Sequence, residues 1–150
     1  MKLRNLTKKD SKILSKMYMD YLNHVHKYYS PWSKKFFPKI VDEVSKNISK
    51  RNFRIMGAFS NNKLIAFVNA SVHYSKIESR YNAWINDIYV SPKFRGKGVA
   101  KNLIQEIEIW AKKRGAKEIR FGTSVKNKPA LKTWKKLGYK EHIIDFIKKI

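Results

Sequence analysis

The sequence predicts an α+β fold, a mixed β-sheet flanked by helices, with the element order β-α-α-β-β-β-α-β-α-β. Three observations predict it. Arg54–Ser60 and Leu64–Tyr74 read as strands, and the Asn61-Asn62 dipeptide between them is a hairpin turn signal. A further strand, Ala83–Val90, runs through a loop with two glycines into Val99–Arg114, whose apolar residues at 99, 100, 103, 104, 107 and 111 keep helical spacing. The 150 residues show no repeat and no linker, so they read as one domain, 1–150, long enough to bury a core.

The elements follow in order. Leu3–Leu6 is a short first strand, and Thr7 or Asp10 caps a helix reaching about His24. Residues 21–37 are dense in aromatics, with Phe36 and Phe37 expected in the core, and Pro31 and Pro38 break the segment. Ile40–Ile48 is a second helix with Val41, Val44 and Ile48 on one face. The hairpin follows, then a polar connection, Ser75–Asn82, and the strand Ala83–Val90. Gly115 closes the long helix, Glu118–Val125 is the next strand, and Pro129–Leu137 is a helix with proline near its first position and Gly138 just past its end. Tyr139–Ile147 is expected as a final strand.

Composition excludes several classes. A hydrophobic content of 43% with 13% aromatics argues against overall disorder. No apolar run approaches the ~18 residues of a membrane span, and the first ten residues lack the apolar core of a signal peptide. Cysteine is absent, which removes disulfides, thiolate metal sites and a cysteine nucleophile, and fits a cytoplasmic protein. The net charge of +23 invites a nucleic-acid reading, but lysine outnumbers arginine 27 to 7, whereas specific phosphate and base recognition leans on arginine. A general lysine bias accounts for most of it. Residues 91–140 still concentrate 15 basic against 3 acidic side chains.

That basic stretch contains the most informative residues. Between the strand and the long helix lies Ser91-Pro92-Lys93-Phe94-Arg95-Gly96-Lys97-Gly98. The glycines let the backbone turn sharply and approach a ligand, and the unpaired N–H groups of the following helical turn favour an anion. Arg95 to Ala100, R-G-K-G-V-A, fits R/Q-x-x-G-x-G/A, the acetyl-CoA pyrophosphate motif of the GNAT N-acetyltransferases. Asn127 to Tyr139, N-K-P-A-L-K-T-W-K-K-L-G-Y, is similar to that family's second signature, N-x-x-A-x-x-x-Y-x-x-x-G-F. One helix and one strand fill the interval, as in the family. The chain thus resembles a GNAT enzyme over most of its length, most specifically from about 83 to 139.

The resemblance implies acetyl-CoA as cosubstrate, with no metal. The amides from Gly96 through Lys97, Gly98, Val99 and Ala100 to Lys101 would hold the pyrophosphate, and Arg95 and Lys97 would add charge. The pantetheine arm would pair with the backbone of Ile88, Tyr89 and Val90. Asn127 falls where the family has a cofactor-facing asparagine, although it also reads as a helix N-cap, and Ala130 is small enough for close approach. Trp134 departs from the pattern. Many family members have a tyrosine there that protonates the leaving thiolate, a step indole cannot perform because its N–H does not ionise usefully. Trp134 can still pack against the cofactor, while Tyr74, Tyr89 and Ser124 are alternative donors that no spacing singles out.

Asp87 is the candidate general base, mid-strand among apolar neighbours just before the loop. Asn86, Asp87 and Tyr89 resemble the E-D-x-Y region of spermidine/spermine-type acetyltransferases, with asparagine in place of the glutamate. A structural aspartate paired with a lysine is the alternative; His73 and Glu78 are weaker candidates, and His142 reads as structural. Tyr28, Tyr29 and Trp32 lie where the family's two-helix connection borders the acceptor. The implied reaction is direct transfer in a ternary complex to a small amine or amino-acid-like acceptor, with a peptide or protein N-terminus or lysine as second choice. The rival is a nucleic-acid or ribosome-binding module that kept the fold without turnover. A homodimer is left open. The family often closes with two strands, whereas the twelve residues after Gly138 leave room for one long strand or a tight pair.

Overall fold

The computed structural model describes residues 1–29, 34–148 and 150. Its sheet has five strands: β1 (Lys2–Asn5), β2 (Phe53–Ser60), β3 (Lys63–Ser75), β4 (Arg80–Val90) and β5 (Ala116–Phe121), which lie side by side in that order. β1 to β4 pair antiparallel and β4 pairs parallel with β5, so the sheet is mixed. α1 (Ser11–Val25) and α2 (Phe37–Asn47) contribute to one core with Phe67 and Tyr89. The helix α3 (Val99–Lys113) and Trp134 of α4 (Lys128–Lys136) build the other with Ala66, Val68, Ala70 and Val72. β3 feeds both cores, alternating from Ala66 onward after an irregularity at Ile65, as expected for a strand covered on two faces.

Local chemistry explains the element ends. Asn61 and Asn62 both take left-handed backbone, φ 46° and 61°, which closes the β2–β3 hairpin with the twist its strands need. Entry to α1 is held by Asp10. Its carboxylate accepts from the Thr7 N–H at 2.8 Å and from both terminal nitrogens of Arg4 at 2.8 Å, and the Arg4 guanidinium holds it far below the usual carboxylate range.

The predicted elements are present within a few residues, with three differences. No strand forms over Tyr139–Ile147 among the described residues, and Ile143, Ile144, Phe146 and Ile147 are exposed. An extended segment is stable only once its backbone is paired and a face is buried, and this one has neither apolar burial nor ladder. β5 stops at Phe121 instead of reaching Val125, because Gly122 follows and a turn closes from the Asn127 N–H to the Ser124 carbonyl at 2.9 Å. Phe37 is buried at 1% exposure but Phe36 is 54% exposed, since adjacent residues at a helix start cannot both face the core. No helix of the described structure is long and apolar enough to cross a membrane.

Candidate active site

A one-residue irregularity in β4 creates the site. Asn69 of β3 lies opposite Asp87 but Ala70 lies opposite Ile85, so Asn86 is an extra residue, a β-bulge. The bulge inverts the alternation of the strand. Ile85 belongs to the α3-side core and Ile88 packs against it, whereas Tyr89 belongs to the α1-side core. Asp87 goes with Tyr89, so its carboxylate faces α1. The Asn86 side chain sits at the surface and donates to Ser71 Oγ at 3.1 Å.

Asp87 is held by neutral donors. Asn69 Nδ2 donates to its Oδ2 at 2.8 Å, and the hydroxyls of Tyr18 and Tyr21, on successive turns of α1, face the same carboxylate. Burial pushes the Asp87 carboxyl above its ordinary value, and the donors from Tyr18, Asn69 and Tyr21 pull it partly back. Both phenols are raised, first by burial and then by the Asp87 charge, so neither is an acid near neutral pH. The lysine partner of the structural alternative is not among the groups facing Asp87.

Beyond the bulge the strand has an open side. Pairing with β5 ends at Ile85–Phe121, while β4 continues to Val90. The Ser91 N–H donates to the Ile65 carbonyl at 2.9 Å, and hydrogen-bonded residues alternate along an antiparallel ladder. Asp87 and Tyr89 therefore turn their main-chain groups toward β3. Ile88 and Val90 turn theirs to the open side, where the Val90 carbonyl accepts from Arg95 Nε at 2.9 Å. The Arg95 guanidinium also lies 5.5 Å from the Tyr89 ring, and that ring is 5.9 Å from His24, whose other neighbour is Tyr28 at 6.0 Å. Partial burial, then the charges of Arg95 and Lys27, lower the His24 imidazole below its usual value.

The loop that follows is built for an anion. Gly96 and Gly98 have φ of 72° and 76°, and a Cβ at either would meet only open space. Their glycine requirement thus comes from backbone conformation and from whatever approaches outside. Gly98 caps α3, whose first helical bond runs from the Asn102 N–H to the Gly98 carbonyl. The N–H groups of Val99, Ala100 and Lys101 have no partner within the helix.

The remaining predicted residues divide. Asn127 Oδ1 accepts from the Ala130 N–H at 3.3 Å, so the N-cap reading holds, and Ala130 packs against the α3-side core. Trp134 is buried, with the Phe121 ring 3.9 Å away and the Tyr139 ring at 4.9 Å, and fills the space at the end of β5. Tyr28 reaches the site only through His24, Tyr29 is 39% exposed, and Trp32 lies outside the described residues. Tyr74 stands opposite Tyr81 at the far end of β4, roughly 20 Å from Asp87 at ~3.3 Å per strand residue. Glu78 is tied to Arg120, Arg80 and Asn82, which hold it below the usual carboxylate range, Arg120 most strongly. Tyr18, Tyr21 and Asn69 were not singled out from sequence. The only signal was two hydroxyl-bearing residues, three apart, on the apolar stripe of α1.

Comparison with known proteins accords with this geometry. Residues 17–139 match the model of the acetyltransferase (GNAT) family. An uncharacterized N-acetyltransferase of Methanocaldococcus jannaschii is 31% identical over 143 residues, 93% of this chain and 60% of its own length. An aminoglycoside N(6')-acetyltransferase type 1 of Salmonella typhimurium is 31% identical over 87 residues, 56% of this chain and again 60% of its own. The chain thus spans about 60% of the length of the curated relatives it matches. Among solved structures, an aminoglycoside 6'-N-acetyltransferase in complex with the bisubstrate analogue CoA-S-monomethyl-acetylneamine superposes with a TM-score of 0.73 at 21% identity, over 99% of this chain and 98% of the other. The chain belongs to the GNAT acetyltransferase family.

Proposed function

We propose that this chain transfers the acetyl group of acetyl-CoA to a primary amine, by direct attack of the amine on the thioester in a ternary complex. The observation that supports it most is one juxtaposition. The open backbone of Ile88 and Val90 ends, a few residues on, at the free amides of Val99, Ala100 and Lys101. The first surface suits the pantetheine amides, as an added strand would; the second suits the diphosphate. Arg95, Lys97 and the backbone turns of Gly96 and Gly98 complete the anion cradle, with Asn127, Ala130 and Trp134 as the α4 wall.

In this reading Asp87 takes the proton that an alkylammonium must lose before it can attack. Its raised proton affinity suits that task better than an ordinary carboxylate would, because a base is most effective with a pKa near working pH. Trp134 cannot protonate the leaving group; a thiolate of pKa about 8.5 leaves at modest cost without it. The acceptor we favour is a small amine or amino-acid-like molecule. The chain's +23 charge opposes the approach of a polycation, and Asp87 offers a single negative charge at the point where one ammonium must sit.

The test is thermal and enzymatic. Acetyl-CoA at about a hundred times its dissociation constant stabilises a protein that binds it by ~2.7 kcal/mol, a shift of several degrees in Tm. Free-thiol release is then followed over small amines, amino acids, aminoglycosides, spermidine and peptide N-termini. No shift with acetyl-CoA would overturn the assignment; a shift with turnover only on peptides would move the acceptor class.

A further inference from the structure

We propose that Asn69 is the positioning residue that holds the Asp87 carboxyl in both of its protonation states. The proposal rests on the reading of Asp87 as the base. Asn69 is 2% exposed and lies directly across the ladder from Asp87. Its Nδ2 donates to Asp87 Oδ2 at 2.8 Å, yet its Oδ1 is buried and has no hydrogen-bond partner among the described residues. A buried orphan acceptor is unfavourable and needs a reason.

The reason lies in what the partner becomes. A carboxylate only accepts, but a carboxylic acid also carries an O–H to donate. A carboxamide is the side chain that carries a donor and an acceptor side by side. Against ionised Asp87 the Asn69 amide donates and its oxygen waits. Against protonated Asp87 that oxygen takes the O–H, directly or after a half-turn of the amide. The phenols of Tyr18 and Tyr21 adapt likewise, since hydroxyls rotate. The groups facing the carboxyl are thus Tyr18 and Tyr21 from α1 and Asn69 from β3. Tyr89 of β4 follows on the same face, with His24, Asp20 and Arg95 around its ring.

The proton ledger is simple. An N–H bond of the acceptor ammonium breaks, its electron pair stays on nitrogen, and an O–H forms on Asp87. The amine pair attacks the thioester carbonyl carbon and the C–S pair leaves on sulfur. The nitrogen's second proton ends on that sulfur and the Asp87 proton passes to solvent, so one ammonium and one acetyl-CoA give the amide, the free thiol and one proton.

The test reads the carboxyl itself. The five aspartates are labelled with carboxyl ¹³C, the Asp87 signal is assigned with Asp87→Asn, and its titration is followed without any ligand. Asn69→Leu removes the pairing in both states, and the one to the carboxylate is the stronger because its acceptor is charged, so the midpoint should rise by about one pH unit. The acidic limb of kcat/KM should move up with it. Asn69→Asp is close to isosteric and covers the case in which leucine does not fold; two facing carboxyls should titrate in two steps, one above the wild-type midpoint. An Asp87 midpoint unmoved in either folded variant overturns the proposal, as does a midpoint that moves while the acidic limb stays. If Asp87→Asn leaves the acidic limb of the wild-type profile intact, it is the reading of Asp87 as base that fails, and the carboxyl midpoint alone then decides the Asn69 pairing.

Discussion

The two ends of β4 handle charge in opposite ways. At its start Arg80 and the neighbouring Glu78 meet Glu118 and Arg120 of β5, with Arg80 Nη2 to Glu118 at 2.6 Å and Arg120 Nη2 to Glu118 at 3.0 Å. Two acids and two guanidinium groups cancel there, and the strand is paired on both sides. At its end Asp87 is matched by two phenols and an amide, and the strand is paired on one side only. A cation beside a carboxylate fixes its charge by lowering its proton affinity; neutral donors support the charge without fixing it. The first arrangement serves stability and the second leaves a group able to take up and release a proton.

Three substitutions sharpen that contrast. The largest effect is expected from Asp87→Asn. At neutral pH it should lower kcat/KM by about 10²-fold, the usual worth of a general base, and recover much of that above pH 9, where the free amine needs no help. The linkage sign agrees. The folded pKa is raised, so the carboxyl adds stability at low pH that is lost as pH rises through the folded pKa, and the asparagine variant should lack that decline. An equal rate loss at every pH would place Asp87 among the merely structural residues.

Next comes Gly98→Val. Its φ of 76° is strained for any β-branched side chain, and the new Cβ projects into the open space outside the loop. Acetyl-CoA affinity, measured calorimetrically on folded protein, should fall at least ~10-fold. Unchanged affinity would detach the loop from the cofactor.

The smallest effect belongs to the balanced end of the strand. Arg120→Ala breaks ion pairs whose members are partly exposed and lie far from Asp87, so it should cost about 1 kcal/mol in urea unfolding and leave kcat/KM and its pH profile unchanged. A shifted profile would show that the two ends are coupled and that the comparison is wrong.

These effects also mark what was legible in the sequence. Asp87 stood out as a charge in an apolar strand, and the glycine turns at Gly96 and Gly98 and the Asn127 helix cap were readable because each has a local chemical reason. Tyr18, Tyr21 and Asn69 were not, because they converge on one carboxyl from α1 and β3 only after the sheet and helix pack. The bulge was invisible for a related reason: Asn86 becomes the extra residue only through the register of β3 against β4. The final strand was overread. His142–Ile147 is rich in strand-forming apolar residues but does not alternate with period two, and it joins neither outer edge of the sheet among the described residues.

Asn86 carries one more implication, about length instead of chemistry. Because a strand's faces alternate with a period of two, the extra residue shifts the odd-even count of everything downstream while the pairing with β3 keeps each side chain on its face. Removing one codon there would make Ile85 and Asp87 neighbours, as Ala70 and Asn69 already are across the ladder, so the Asp87 carboxyl would still face α1 and only the local twist of the bulge would be lost. What aims the acid is its place across from Asn69; the extra residue bends and twists the strand just before it.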